Sequence, residues 1–155
     1  NSKLKKIKKI ELNYSELSDN VIRVIKGTNF DYFSLESQSI FFNKKFSVTK
    51  LVDRMGIRLS GRKLENIVST NIKSEGLVRG TIQVPADGNP IIMLSDHGTI
   101  GGYPKIGVVI SADLDRVGQL IPGSNIDFKE VSLEEAENIF KAYTEDTNRY
   151  LNECN

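Results

Sequence analysis

Short apolar segments cut apart by Gly, Asn, Asp and Pro predict a mainly β protein: a closed or nearly closed barrel with a few short helices and a C-terminal helix. Two further observations carry that expectation. Ile91 to Leu94 and Ile106 to Ile110 are almost wholly apolar, as strands inside a barrel or sandwich core are. Helical patterns are few, and turn signals recur throughout, which disfavours alternating βαβ units.

The elements follow in chain order. Val21 to Ile25 reads as a strand, ended by Gly27-Thr28-Asn29. Leu35 to Phe42 forms a short helix, and Lys45 to Lys50 another strand. Arg54 to Leu59 alternates as a half-buried strand does. Gly80 to Val84, Ile91 to Leu94 and Ile106 to Ile110 are the next strands. Ala112 to Leu120 is a short helix, with Ser111 as its cap and Asp113 and Asp115 favouring its first turn. A longer helix begins after Ser132, where Glu135 completes a capping box. It continues through Ala136, Ile139, Phe140 and Tyr143 toward Tyr150.

The chain has 155 residues, 39% hydrophobic and 26% charged, enough for one compact core. A single domain over residues 1–155 is the economical organisation, since no repeat, low-complexity tract or linker divides the chain. Twenty-one Lys and Arg against 20 Asp and Glu give a formal charge of +1, so the global field calls for neither nucleic acid nor membrane. The basic start, Lys3 to Ile10, reads as a solvated face, with a phosphate patch as the alternative. The lone Cys154 excludes a disulfide scaffold or a cysteine zinc site within the chain, and a cytoplasmic setting follows as the default. No apolar run approaches the ~20 residues that cross a bilayer, and the start lacks the apolar stretch of a signal peptide.

Common catalytic signatures are missing: no phosphate-binding Gly-x4-Gly-Lys loop, no His-Glu-x2-His pair and no Gly-x-Ser-x-Gly elbow. With His97 as the single histidine, no multi-histidine metal site exists and no metal is expected; nor is there a lysine between methionines to carry biotin. Three stretches combine glycine, proline and charge beyond what packing requires. In Asp53-Arg54-Met55-Gly56-Ile57-Arg58-Leu59 the two arginines are four residues apart, so an ideal strand sets both forks on one face toward a carboxylate or phosphate. An Asp53–Arg54 surface pair is the plainer reading. In Gly80 to Pro90, Asp87-Gly88 is a turn signal flanked by Pro85 and Pro90, and a hairpin explains most of it. Gln83 is left over: an amide that can donate and accept in an apolar strand, or one that simply faces solvent. In Ser95 to Pro104, Gly101-Gly102 allows positive φ or close backbone approach, and such loops can bind anions. Asp96 and Thr99 are placed for an Asx-type turn, Tyr103 for a hydrogen-bonding acid or pocket wall, and nothing beyond its neighbours marks His97 as a base.

In this order, Asp53-Arg54-Met55-Gly56, Ser74-Glu75-Gly76, Gly80-x-Ile82-Gln83-Val84-Pro85-x-Asp87-Gly88-x-Pro90 and Asp96-x2-Thr99-x-Gly101-Gly102-Tyr103-Pro104 resemble the C-terminal half of the biotin-dependent carboxyltransferase family. Ile110 to Leu114 and Leu120-Ile121-Pro122-Gly123 leading to Phe128 extend the likeness, which covers roughly residues 20 to 130. The family includes the C subunit of 5-oxoprolinase, allophanate hydrolase subunit 2, the antagonist of a sporulation kinase inhibitor, and the carboxyltransferase part of urea carboxylase. The resemblance implies a cyclophilin-like β-barrel that works beside a homologous companion, of the 5-oxoprolinase B-subunit or kinase-inhibitor type, with the A subunit of 5-oxoprolinase, and ATP, in the full assembly. It implies a component, inactive alone, of an ATP-dependent enzyme acting on a small amide. ATP or carboxybiotin is expected from the assembly, with no cofactor bound by this chain alone.

On this reading Arg54, Gln83, Asp96 and Tyr103 are candidate catalytic residues, while Arg58, Glu75, Pro85, Thr99, Gly101 and Gly102 bind substrate. The arginines clamp an anion, Gln83 and Asp96 read an amide, and the diglycine offers a surface for close approach. A regulatory protein that antagonises a kinase inhibitor, or an inactive remnant of a split gene, are the alternatives. Full-length members begin with a further Gly-, Thr-, Gln- and Asp-rich segment, so the chain is expected to be the C-terminal part of a longer module, its N-terminal portion absent here through a split gene, a truncation or the choice of sequence boundary. It departs from relatives at Val52, where they carry Ser, and at Ile57, where Tyr is common. A cyclophilin-like fold brings no expectation of prolyl isomerase activity.

Overall fold

A computed structural model describes residues 20–153 except Thr70. The lysine-rich start and Cys154 lie outside the described residues. Seven strands close into a barrel in the order β1 (Val21–Lys26), β8 (Lys105–Val109), β5 (Thr81–Gln83), β6 (Ile91–Met93), β3 (Gly56–Ser60), β2 (Phe46–Val52) and β9 (Asn125–Glu130). All neighbours are antiparallel except β1 and β9, which run parallel with Val21 opposite Asp127 and Ile22 opposite Phe128. A two-stranded ribbon, β4 (Glu75–Gly76) with β7 (Ile100–Gly101), stands apart from the barrel sheet.

Alternation along each strand sends one set of side chains inward. Val24, Phe46, Ile57, Leu59, Ile82, Ile92, Ile106 and Ile126 are essentially fully buried there. The helix α1 (Leu35–Asn43) is capped by Ser34, whose hydroxyl accepts the Ser37 N–H, and it delivers Phe41 into this core. Phe41 stacks on Phe128 at 4.6 Å between ring centres and meets Phe42 edge-on at 4.9 Å. Aromatic pairs in these geometries add to what area burial contributes.

A smaller cluster of Ile110, Ala112 and Val131 receives Ala136 and Ile139 from α3 (Leu133–Glu153). The predicted capping box forms: Ser132 N–H donates to Glu135 Oε2 at 2.6 Å, and Glu135 N–H to Ser132 Oγ at 3.1 Å. Among the described residues no helix is long and apolar enough to cross a membrane.

The predicted helix over Ala112 to Leu120 is corrected. Ser111–Asp113 is a 3-10 turn, and the helix α2 covers only Leu114–Val117, with no cap from the Ser111 side chain. The reason lies in Asp113, which is wholly buried. Its carboxylate accepts from Arg23 N at 2.8 Å, Nε at 3.1 Å and Nη2 at 2.5 Å, and so ties this segment to β1. The short strands β4 and β7, and β9 itself, had no clear sequence signature.

Candidate functional site

Register across four strands lines up one row of side chains. Arg58 on β3 and Gln83 on β5 both lie opposite Ile91 on β6, and Gln83 lies opposite Lys105 on β8. Their neighbours Ile57, Ile92 and Ile82 fill the barrel, so the row faces outward. A shift of register between Ile82 and Gln83 brings Lys105 level with Gln83.

At the Arg58 end a groove of about 500 Å³ opens on the outer face. Met55, Ile91 and Met93 give it apolar walls, while Lys50 and Arg58 bring positive charge, with Asp53 and His97 beside them. Asp87 holds the Arg58 Nη1 at 2.9 Å. The predicted turn carries that carboxylate: Gly88 N–H closes on the Pro85 carbonyl at 2.9 Å, with Gly88 at φ +74°, a conformation that favours glycine. Partial burial pushes the Asp87 carboxyl up, but the Asn89 N–H and amide and the Arg58 and Lys63 charges hold it below the usual range.

Arg54 does not share this row, which corrects the expectation of two arginines on one strand face. Asp53 Oδ1 accepts the Met55 and Gly56 N–H groups, making a turn after which β3 begins, so Arg54 precedes the strand. Nor does Arg54 pair with Asp53. Its side chain, 85% exposed, forks onto Asp96 through Nε and Nη2. The hydrogen bond from Arg54, with its charge, lowers the Asp96 pKa, and the same contact raises that of Arg54. Asp96 therefore turns to Arg54 rather than back onto Thr99. Met55 and His97, next in sequence to this pair, both line the groove, so Arg54 and Asp96 stand at its rim. His97 Nδ1 lies 2.6 Å from the Gly98 carbonyl.

At the other end of the row Gln83 is 3% exposed although it faces away from the barrel. The ribbon covers it. Gln83 Nε2 donates to the Tyr103 carbonyl at 3.2 Å, and the Tyr103 side chain is half exposed. The diglycine is extended, not turned; neither residue has positive φ. Gly101 serves close approach, but to protein: a Cβ there would stand 2.5 Å from Gln83 Nε2 and 2.9 Å from Leu77 Cδ1. The carbonyls of Thr99 and Gly102 accept from Leu77 and Ile72, stitching the ribbon together.

Sequence reasoning passed over Lys105 and Asn29. Lys105 Nζ meets Glu75 Oε2 at 2.5 Å, its backbone N–H donates to Asn29 Oδ1 at 3.1 Å, and both Lys105 and Asn29 are buried. The hydrogen bond from Lys105 lowers the Glu75 pKa. A lysine heading the apolar run Ile106 to Ile110 was the available signal. Arg58, Gln83 and Glu75 thus belong to one outer face, Tyr103 and Gly101 join them, and Arg54, Asp96 and Thr99 border it. Among the described residues no group of three or more His, Cys, Asp or Glu could hold a metal ion.

The chain belongs to the family described as carboxyltransferase domain, subdomain A and B, whose model matches residues 2–130; α3 lies beyond the match. It is 38% identical over 117 residues to the C subunit of 5-oxoprolinase from Escherichia coli (strain K12), covering 76% of this chain and 38% of that protein. A urea amidolyase of Lachancea kluyveri is 32% identical over 115 residues, 68% of this chain and 6% of that protein. The crystal structure of the K. lactis urea amidolyase matches with a TM-score of 0.80 at 28% identity, over 86% of this chain and 9% of that one. The chain thus spans 38% of the length of the 5-oxoprolinase relative it resembles.

Proposed function

We propose that this chain is part of a carboxyltransferase-type module and a component of an ATP-dependent enzyme that processes a small acidic amide, as the C subunit of 5-oxoprolinase would. It works with a homologous companion and with the N-terminal portion of the module. The observation that carries this reading is the common register of Arg58 and Gln83 on Ile91, beside a groove of ligand size.

Arg58 has five N–H donors in a fixed fork, and Asp87 orients it through one nitrogen, which leaves the outer edge for an anionic group of the substrate or of its activated form. Gln83 can donate to an amide carbonyl and accept from an amide N–H. Met55, Ile91 and Met93 give the groove beside Arg58 an apolar wall. The Arg54–Asp96 pair positions the loop that bears His97, the Pro85 turn carries Asp87, and the Tyr103 carbonyl orients the Gln83 amide. ATP or carboxybiotin belongs to the companion subunits.

The test is reconstitution with those subunits and the N-terminal portion, followed by 5-oxoproline-dependent ATP hydrolysis. Wild-type chain is expected to support turnover, and Arg58→Met to lower kcat/KM by about a hundredfold while the barrel stays folded. An assembled complex that is inert toward 5-oxoproline, or indifferent to Arg58→Met, defeats the proposal.

A further inference from the structure

The row ends in a charge that packing does not ask for. The Lys105 side chain is 6% exposed, and among the described residues its ammonium makes one hydrogen bond, to Glu75. An ammonium has three donors, and a buried charge with a single partner is costly to keep. A position between Pro104 and Ile106 that served the core alone would be filled by an apolar side chain.

The partner is not part of the barrel. Glu75 sits on the ribbon strand β4, and its side chain is 46% exposed, so its carboxylate can turn to water with little rearrangement. The ribbon's own pairing is short, Glu75 with Gly101 and Gly76 with Ile100. The contacts that fasten it and its flanks to the barrel include Glu75 to Lys105, the Gln83 amide to the Tyr103 carbonyl, Val78 N–H to Thr81 Oγ1 at 3.2 Å, Thr81 N–H to the Val78 carbonyl at 3.1 Å and Val84 N–H to the Pro104 carbonyl at 3.0 Å. Below, Asn29 Oδ1 accepts the Lys105 backbone N–H and fixes it.

We infer that Lys105 is a carboxylate-binding residue, and that Glu75 is an internal stand-in which an acidic ligand displaces. This deepens the proposed function and rests on it for the substrate class. The exchange swaps one carboxylate for another on the same ammonium, so the charge at the buried position is unchanged. Gln83, in register with Lys105, then faces the amide of a ligand whose carboxylate lies on Lys105. Arg58, across Ile91 from Gln83, is left for a second anionic group, such as the one that forms when the amide is activated.

The experiment uses the 155-residue chain as wild type, Glu75→Gln, Lys105→Met and Lys105→Arg, titrated with acetate, with 5-oxoproline and with the neutral 5-oxoprolinamide. Nuclear magnetic resonance follows the Lys105 ammonium and the Gln83 and Gly101 amides. A competitor that occupies Lys105 about nine-tenths of the time weakens the apparent Kd about tenfold. Glu75→Gln is therefore expected to bind both carboxylates about tenfold more tightly than wild type. Lys105→Met is expected to lose that binding, Lys105→Arg to retain part of it, and 5-oxoprolinamide to be indifferent to all three. No gain in Glu75→Gln overturns the inference, as does unchanged binding in Lys105→Met; if that variant fails to fold, the Glu75→Gln result decides. Acetate that responds while 5-oxoproline does not keeps the carboxylate site and sinks the substrate reading. Turnover of 5-oxoproline by the assembly with no gain of affinity in Glu75→Gln keeps the substrate reading and sinks the site.

Discussion

Arg54 grips Asp96 twice: the guanidinium holds the carboxylate through Nε at 2.6 Å and Nη2 at 3.1 Å, and the Arg54 carbonyl accepts the Asp96 N–H at 2.9 Å. The β2–β3 turn and the loop after β6 are joined at the groove's rim. Exposed pairs of this kind contribute little to stability. Arg54→Ala is therefore expected to leave the thermal midpoint within error of wild type while lowering turnover in the assembled enzyme. Parallel melting and activity measurements check it; a large loss of stability with normal activity would contradict it.

Buried Asp113 behaves oppositely. Its three hydrogen bonds from Arg23 hold the turn after β8 against β1, and Arg116 Nη1 stands 3.6 Å away. Removing one partner of such a pair strands the other. Asp113→Ala is expected to cost about 3 kcal/mol, at the lower end for buried pairs because Arg23 is partly exposed. Chemical denaturation measures this directly.

Gly101→Ala tests the fit of ribbon to barrel. Its Cβ would collide with the Gln83 amide and Leu77, whereas at Gly102 the nearest atom, the Ile72 carbonyl oxygen, is 3.2 Å off. Gly101→Ala is expected to cost about 1–3 kcal/mol and to speed hydrogen exchange at Leu77 and Ile72. Gly102→Ala should do less of both. Equal effects at the two positions would show that the close approach to Gln83 is not what selects glycine.

Acid separates the capping box from the rest of α3. The hydrogen bond from Ser132 N–H holds the Glu135 pKa below its ordinary value. A depressed folded-state pKa contributes stability that is fully present above the unfolded value of about 4.3 and is lost as pH falls through the folded one. The Ser132 amide resonance is expected to stay constant from neutral pH down to that value and to move only below it. Glu135→Gln should abolish the titration while leaving α3 in place.

Much of the barrel was legible because its strands alternate or are wholly apolar between turn residues; every predicted strand forms, most with ends shifted by one or two residues. The capping box was legible for a local reason, two side chains three residues apart. What escaped depends on distant partners. Asp113 looks like a helix-start residue until Arg23, 90 positions away, claims its carboxylate. Along the strand Gln83 could be a functional amide or simply face solvent, and the ribbon formed by residues 75–76 and 100–101 is what makes it buried. Arg54 and Arg58 share a parity along the chain, but the Asx turn at Asp53 ends that parity before β3 starts. Of the two uses open to the diglycine, positive φ or close approach, Gly101 serves the second, and toward Gln83 and Leu77 rather than a ligand.

The parallel pairing of β1 with β9 joins the first described strand to the last. A nascent chain cannot shut its sheet until residues near Glu130 have emerged from the ribosome, and until then β1 and β2 present unpaired edges. A polypeptide cut anywhere before Asn125 would be left with those sticky margins, an aggregation hazard rather than a smaller working unit.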